Sequence, residues 1–231
     1  MLGFPYNHPM ENSEALVSFA DLTVGEFLDR LASPEPVPGG GSASALAGAL
    51  GASLVSMVCG LSAGRPKYAA YESTLLRCDE IGQALAAEFL DLADRDSFAY
   101  AGYAAALEMP RDIDEEKASR RAAIRIAARA AADAPMECVI ACTRLAAAAD
   151  SLAGRSNVNA SSDVLVAALL AEAAARGAAE NVRINLPATD DEQYADTINR
   201  KLDSALHEIA AVTAQTREAI LSGQPREPEE E

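Results

Sequence analysis

The stretch from Val37 to Gly64 contains no charged side chain and is dominated by glycine, alanine and serine. Three consecutive glycines, Gly39 to Gly41, stand near its start, directly after the second of two spaced prolines. Alanine is the strongest helix former, so the run predicts a helix from Gly41 to about Ser62. A helix that is apolar on every face belongs at the centre of a bundle or at a subunit interface. A membrane span is less favoured, because alanine, glycine and serine gain little from lipid.

Small residues recur along this predicted helix at every fourth position: Ser44, Gly48, Ala52, Ser56 and Gly60. Such a ridge lets a neighbouring backbone approach closely. The amides of the preceding glycines are free to face an anion, helped by the partial positive charge of the helix start. A tight turn into closely packed helices explains the same glycines, and the residues alone leave both interpretations open. The loop is not a P-loop, because no Gly-Lys-Ser/Thr follows it.

Apolar periodicity predicts further helices along the chain and no strand. We expect them over residues 23–32, 67–108, 112–153 with a kink or break at Pro135, 161–183 and 189–221. Capping pairs mark three helix starts: Thr23 with Glu26, Asp112 with Glu115, and Thr189 with Glu192. The sequence therefore predicts an all-α bundle of about six helices, with the small-residue helix at its centre. It forms one domain over residues 21–222, between a flexible tail at 1–20 and a solvated acidic tail at 223–231.

Charge and cysteine content indicate which kinds of ligand the protein is not expected to bind. A formal net charge of −16 over 231 residues argues against nucleic acid, whose binding needs clustered lysine and arginine. No basic segment followed by an apolar core opens the chain, so we expect a cytoplasmic protein. The four cysteines stand in apolar surroundings and are expected to be buried thiols, not metal ligands: Cys59, Cys78, Cys138 and Cys142.

Five segments, in order, resemble those of the family of formiminotetrahydrofolate cyclodeaminases and methenyltetrahydrofolate cyclohydrolases. The first is Pro-Val-Pro-Gly-Gly-Gly-Ser, residues 36–42, before the small-residue helix. The others are Gly-Arg-Pro-Lys-Tyr at 64–68, Asp-Arg-Asp-Ser-Phe-Ala-Tyr at 94–100, Asn-Val-Asn-Ala-Ser-Ser-Asp at 157–163 and Asn-Val-Arg-Ile-Asn-Leu at 181–186.

The resemblance implies an all-helical homodimer that acts on a one-carbon tetrahydrofolate, without metal or redox cofactor. It implies that Asp96 is catalytic. It implies a substrate-binding set of Gly39, Gly40, Gly41, Ser42, Lys67, Asn157, Asp163 and Asn185. Other interpretations stand beside it: Asp163 is also well placed as a helix cap, Lys67 as a surface lysine, and Asp96 as part of a solvated helix face.

The side-chain inventory points to carboxylate chemistry. Only two histidines exist, His8 and His207, so mechanisms built on histidine have little to work with. A carboxylate can accept the proton of an attacking water and complement a cationic substrate. Taken with the family resemblance, such a carboxylate makes hydrolysis of 5,10-methenyltetrahydrofolate to 10-formyltetrahydrofolate the expected reaction.

Two alternatives remain. Formiminotetrahydrofolate cyclodeaminase activity is the first; it is less favoured because this chain shows no formiminotransferase domain. The second is a catalytically silent helical binding or scaffold protein, suggested by Glu108, which stands where the family usually has lysine.

Overall fold

Six α-helices make up almost all of the fold. The structure is a computed structural model that describes residues 18–229, and no strand occurs among them. The helices are α1 Val24–Leu31, α2 Gly40–Gly60, α3 Glu72–Glu108, α4 Asp114–Leu152, α5 Ser161–Asn185 and α6 Glu192–Ser222. Short 3-10 turns join them at Phe19–Asp21, Pro66–Tyr71, Val158–Ala160 and Leu186–Thr189. The predicted all-α class and helix number are confirmed.

The glycine and serine positions of α2 pack directly against its neighbours. A Cβ added at Gly48 would lie 2.6 Å from the Phe89 ring on α3. Seven residues before Phe89 on α3, a Cβ at Gly82 would lie 2.5 Å from Ser56 Oγ and 2.9 Å from the Ala52 carbonyl oxygen. The predicted close packing is confirmed over most of the ridge. It ends before Gly60, which has open space around its Cα.

The outer face of α2 remains exposed. Leu50, Met57 and Leu61 are solvent-accessible, whereas Val55 and Val58 on the opposite face are fully buried. By length and apolarity, Gly40–Gly60 and Val158–Thr189 would each suffice to cross a membrane, but half of the first segment's apolar window is buried inside the bundle. Such burial is typical of a core helix, and the expected absence of a membrane partner stays a prediction.

Pro135 does not break α4, so the break that we allowed for there does not occur. The helix continues from Asp114 to Leu152, with Pro135 buried inside it. Proline lacks the amide hydrogen that would bond to the carbonyl of Ala131, four residues back. The Asn185 side chain donates to that carbonyl oxygen instead, at 3.0 Å. A contact from a distant helix thus satisfies the acceptor that the proline leaves open.

Two predicted helix starts differ in detail. At α4 the carboxylate of Glu116, not Glu115, accepts the amides of Asp112 and Ile113. At α6 the Asp191 side chain accepts the Tyr194 amide at 2.9 Å, while Thr189, the expected cap, belongs to the preceding 3-10 turn. The capping box of α1 forms as predicted between Thr23 and Glu26.

The C-terminal segment is attached to the bundle, although we expected a solvated tail. The Arg226 amide donates to the Gly154 carbonyl at 3.1 Å, and buried Arg155 donates to the Glu227 carbonyl at 2.6 Å. The Glu229 carboxylate pairs with both Arg77 and Arg155. Residues 224–229 are therefore attached to the folded domain, because two arginines of the bundle bind oxygen atoms of this segment.

The N-terminal boundary also shifts slightly. Ser18 and the Phe19 amide donate to the Asp94 carboxylate at 2.5 and 2.8 Å, so residues 18–20 contact the domain and do not belong to a free tail. The rest of the predicted N-terminal tail, including His8, lies outside the described residues.

Candidate active site

Asp96 lies directly against the glycine loop at the start of α2. A side chain on Gly41 would overlap the Asp96 carboxylate, so only glycine leaves room for this approach. Buried Ser42 donates to Asp96 Oδ2 at 3.1 Å and also lies 3.2 Å from Ser97 Oγ. Both carboxylate oxygens lie within 2.5 Å of the position that a Cβ on Gly41 would take. The protein thus holds the carboxylate through Ser42 and places it against the glycine loop.

The electrostatics of Asp96 suit proton exchange. The side chain is half-buried. Burial raises the pKa of Asp96 above its ordinary value, and hydrogen bonds from the Ser42 side chain and backbone partly oppose that rise. Because Gly39 has no side chain to cap α2, the carboxylate also faces the partial positive charge of an uncapped helix start. A carboxylate with a raised pKa beside free amides is suited to act as a general base.

The other charged residues around Asp96 have structural partners or face solvent. Asp94 is held by Ser18 and Phe19. Arg95 forms a two-pronged ion pair with Glu137, with both distances at 2.7 Å, and approaches exposed Asp91. The solvated-face interpretation therefore fits Asp91 and Arg95, whereas Asp96 turns into the bundle.

Asn181 of α5 borders the same loop, and Asn185 of α5 is hydrogen-bonded to Asn181. The Asn181 amide nitrogen lies 3.4 Å from where a Gly40 Cβ would stand and donates to the Gly177 carbonyl at 2.9 Å. Asn185 lies one turn further on and gives its hydrogen atoms to the carbonyls of Ala131 and Asn181. Sequence reasoning did not single out Asn181, although its spacing of four from Asn185 places both on one helix face.

Lys67, Asn157 and Asp163 lie at the opposite end of α2. The Asn157 backbone amide donates to Ser62 Oγ at 2.9 Å, and the Asn157 side-chain oxygen accepts the Asn159 amide and so caps the following turn. Exposed Lys67 lies 5.3 Å above the Tyr68 ring. Asp163 is in the first turn of α5 without being its N-cap. A helix of 21 residues spans about 30 Å, so one chain does not bring these three residues to Asp96.

The four cysteines are not among the hydrogen-bond partners described for Asp96. All four are free and buried, as predicted. Burial raises the pKa of Cys59 to about 12 and that of Cys78 to about 11, so both stay protonated thiols at neutral pH. Among residues 18–229 no three histidine, cysteine, aspartate or glutamate side chains cluster as a metal site would require.

The sequence profile described as formiminotransferase-cyclodeaminase matches residues 23–204. This chain belongs to the formiminotransferase-cyclodeaminase family. Within the family it is 38% identical over 200 residues to the methenyltetrahydrofolate cyclohydrolase of Methylorubrum extorquens. That match covers 87% of this chain and 96% of the relative, so the two proteins correspond over almost their whole lengths.

Other members of the formiminotransferase-cyclodeaminase family include longer proteins. The formimidoyltransferase-cyclodeaminase of Rattus norvegicus is 31% identical over 206 residues, which are 89% of this chain but only 37% of the rat protein. Among solved structures, the formiminotetrahydrofolate cyclodeaminase of Thermotoga maritima superposes with a TM-score of 0.79 at 26% identity. It matches 88% of this chain and 98% of its own, which supports the whole helical bundle as one family domain.

Proposed function

We propose that this protein is a cytoplasmic methenyltetrahydrofolate cyclohydrolase that needs no metal or redox cofactor. The observation that carries the proposal is the placement of Asp96, whose carboxylate accepts a hydrogen bond from Ser42 and lies against Gly41. The near full-length similarity to a cyclohydrolase supports the same reaction. Family membership makes folate one-carbon chemistry the expected class of reaction.

The proposed reaction is addition of water followed by ring opening. Water attacks the carbon between N5 and N10 of the cationic substrate, a C–O bond forms, and Asp96 accepts the released proton. The bond from that carbon to N5 then breaks, N5 takes the proton from Asp96, and the hydroxyl loses its own proton to solvent as the formyl C=O forms. The negative carboxylate stabilises the cationic ring before attack, and the amides of Gly40 and Gly41 face the reacting end of the substrate.

Cyclodeaminase activity is the alternative, and the Thermotoga neighbour and the rat relative favour it. In that reaction a ring nitrogen attacks the formimino carbon and ammonia leaves. Asp96 would then deliver a proton to the departing nitrogen. The same geometry serves both reactions, so the substrate decides between them.

Direct assay of the purified protein tests the proposal. Loss of the methenyltetrahydrofolate absorbance, faster than in buffer, is the expected result, with 10-formyltetrahydrofolate as product. Release of ammonia from formiminotetrahydrofolate without acceleration of the hydrolysis would establish the cyclodeaminase alternative. Absence of both reactions would leave the silent scaffold interpretation and contradict an enzymatic role.

We propose further that the active protein is a homodimer built on the outer face of α2. Leu50, Met57 and Leu61 form an uncharged exposed stripe there, and α5, which packs beside α2, exposes Val166 and Leu169. An uncharged face carries no like-charge repulsion against a second copy of itself. Antiparallel pairing of two α2 helices would also bring Lys67 of one copy toward the glycine loop of the other.

Light scattering on wild type and two variants tests the dimer. Leu50→Glu places a charge in the centre of the stripe and is expected to yield monomers. Leu76→Glu, the same substitution at an exposed leucine of α3, is the control and is expected to stay dimeric. A monomeric wild type would refute the homodimer.

A further inference from the structure

Five cations converge at the tip of the α3–α4 hairpin, in a chain whose formal net charge is −16. They line a concavity of about 620 Å³, together with Ile124, Ala188 and Asp190. The cations are Arg111, Lys117, Arg120, Arg121 and Arg125, here called the hairpin cation cluster. The concavity is within the size range of small-molecule sites, and its charge selects an anion.

Few carboxylates neutralise the hairpin cation cluster. Lys117 contacts Asp114 at 3.1 Å, and Arg125 lies 3.7 Å from Asp190. Arg120 donates to the Leu107 carbonyl, which carries no formal charge. Arg111 and Arg121 have neither an ion pair nor a side-chain hydrogen bond within the described residues. Two guanidinium groups are therefore available to a ligand.

The spacing of the cluster opposes helix stability. Lys117, Arg121 and Arg125 follow one another at intervals of four on α4, where like charges face each other and repel. Arg129 continues the series, but it is engaged by Asp191 and by the Tyr194 ring. The stability of the helix alone does not explain why Lys117, Arg121 and Arg125 are placed so close together. A bound anion would relieve the repulsion among them.

The cluster adjoins the end of the bundle that carries Asp96. Asn181 borders Gly40, Asn185 follows one turn later, and Ala188 forms part of the cluster's wall. The seven positions from Asn181, through the end of α5, to Ala188 in the next 3-10 turn span about 10 Å. This distance suits a ligand with a ring at the glycine loop and an anionic end in the concavity.

We infer that the hairpin cation cluster binds the carboxylates of the substrate's glutamate end, an inference that rests on the proposed folate substrate. Guanidinium groups pair with carboxylates through two parallel hydrogen bonds, which fixes the direction of the chain. The inference also accounts for Glu108, the acidic residue at the end of α3. Glu108 is exposed and does not line the concavity. The cations of α4 would therefore take over the role of the basic residue that the family usually has at position 108.

Two compounds that differ only in the glutamate test the inference: tetrahydrofolate and tetrahydropteroate, titrated into the protein by calorimetry. The test variant is Lys117→Gln/Arg121→Gln, and the matched control is Lys201→Gln/Arg217→Gln, which removes the same charge from exposed positions of α6. The test variant is expected to bind tetrahydrofolate roughly 10- to 100-fold more weakly, as loss of hydrogen bonds to charged groups predicts. Its affinity for tetrahydropteroate is expected to match that of wild type.

The readouts separate this inference from the proposed function. Turnover of methenyltetrahydrofolate by the test variant should show a raised KM with kcat unchanged, the pattern for lost uniform binding. Equal affinity of wild type for the two compounds, no measurable binding of tetrahydrofolate, or an equal loss in the control variant would overturn the inference. If wild type binds tetrahydrofolate through the cluster but does not hydrolyse methenyltetrahydrofolate, the proposed cyclohydrolase activity is wrong and the binding inference stands.

Discussion

Gly41 shows how one missing side chain shapes the candidate site. The Asp96 carboxylate occupies the space that a Cβ on Gly41 would take. The sequence predicted a special role for the glycine loop but left a tight turn and a substrate site both open. The structure adds a third element, the carboxylate from α3, which no local pattern reveals because the two residues are 55 positions apart.

Gly41→Ala is predicted to turn Asp96 away and to lower turnover by about 100-fold or more, the usual range for a displaced acid–base group. Helix content should persist, because alanine is favoured over glycine inside a helix. Steady-state hydrolysis and circular dichroism on the same samples measure both effects. Gly102→Ala is the control, since nothing lies within 4 Å of the added Cβ. Wild-type turnover in Gly41→Ala would contradict the close contact with Asp96.

The raised pKa of Asp96 predicts a pH-dependent cost to stability. Below the ordinary value of 3.8 the group is protonated in both the folded and the unfolded chain, so it imposes no cost. As the pH rises, the unfolded chain releases its proton first, and folding stability falls until the raised pKa is passed. Asp96→Asn should therefore gain stability relative to wild type on going from about pH 4 to about pH 7.

Urea unfolding at the two pH values measures this gain, and Asp29→Asn, at an exposed carboxylate of α1, is the control. A difference between wild type and Asp96→Asn that is the same at both pH values would show that burial does not disfavour the charged form.

At the level of helices, the small residues of α2 are matched by glycines on its partners. Gly82 of α3 lies against Ser56 and the Ala52 carbonyl, and Gly177 of α5 lies against Ser44. The sequence predicted one half of each contact, because the four-residue spacing is visible within α2. Gly177 is the one glycine of α5, and Gly82 and Gly102 of α3 are twenty positions apart, so no periodic signal marks the partner glycines.

Gly82→Ala is predicted to lower the free energy of unfolding by about 1–3 kcal/mol, the usual cost of overpacking. One of the atoms that the new methyl group would meet is the Ala52 backbone oxygen, which cannot rotate away. Gly102→Ala, on the same helix, should instead stabilise the protein by up to about 1 kcal/mol. Chemical denaturation of both variants gives the comparison. Equal stability of the two would mean that α2 and α3 can separate without cost.

Pro135 shows the limit of local rules for helices. Proline in a helix predicts a kink or break, yet α4 runs through it. The compensating hydrogen bond comes from Asn185, 50 positions away, to the Ala131 carbonyl. The Asn185 amide also donates to the carbonyl of Asn181, the residue that borders the glycine loop, so Asn185 links α4 to the side of the candidate site.

For the whole molecule, the C-terminal segment closes the bundle at the end opposite Asp96. Its composition, rich in proline and glutamate, predicted a solvated tail. The decisive partners are Arg77 and buried Arg155, which lie far away in sequence and give no local signal. The composition of a segment says nothing about the residues that surround it in the fold. Here the bundle supplies the two arginines that bind the segment.

Glu229→Gln should lower the free energy of unfolding by about 1 kcal/mol, because it removes the charge that both arginines share. Glu227→Gln is the matched control, since the described contact of that residue uses its backbone carbonyl. Thermal and urea unfolding of the full chain measure the difference. Equal stability of the two variants would mean that the segment binds through its backbone alone.

The most direct test of the proposed mechanism compares hydrolysis of methenyltetrahydrofolate by wild type, Asp96→Asn and Asp91→Asn. Asp91 is an exposed carboxylate on the same helix and serves as the control. We predict that Asp96→Asn lowers turnover by about 10²- to 10⁴-fold, while Asp91→Asn keeps the wild-type rate. Turnover by Asp96→Asn close to that of wild type would contradict the assignment of Asp96 as the general base.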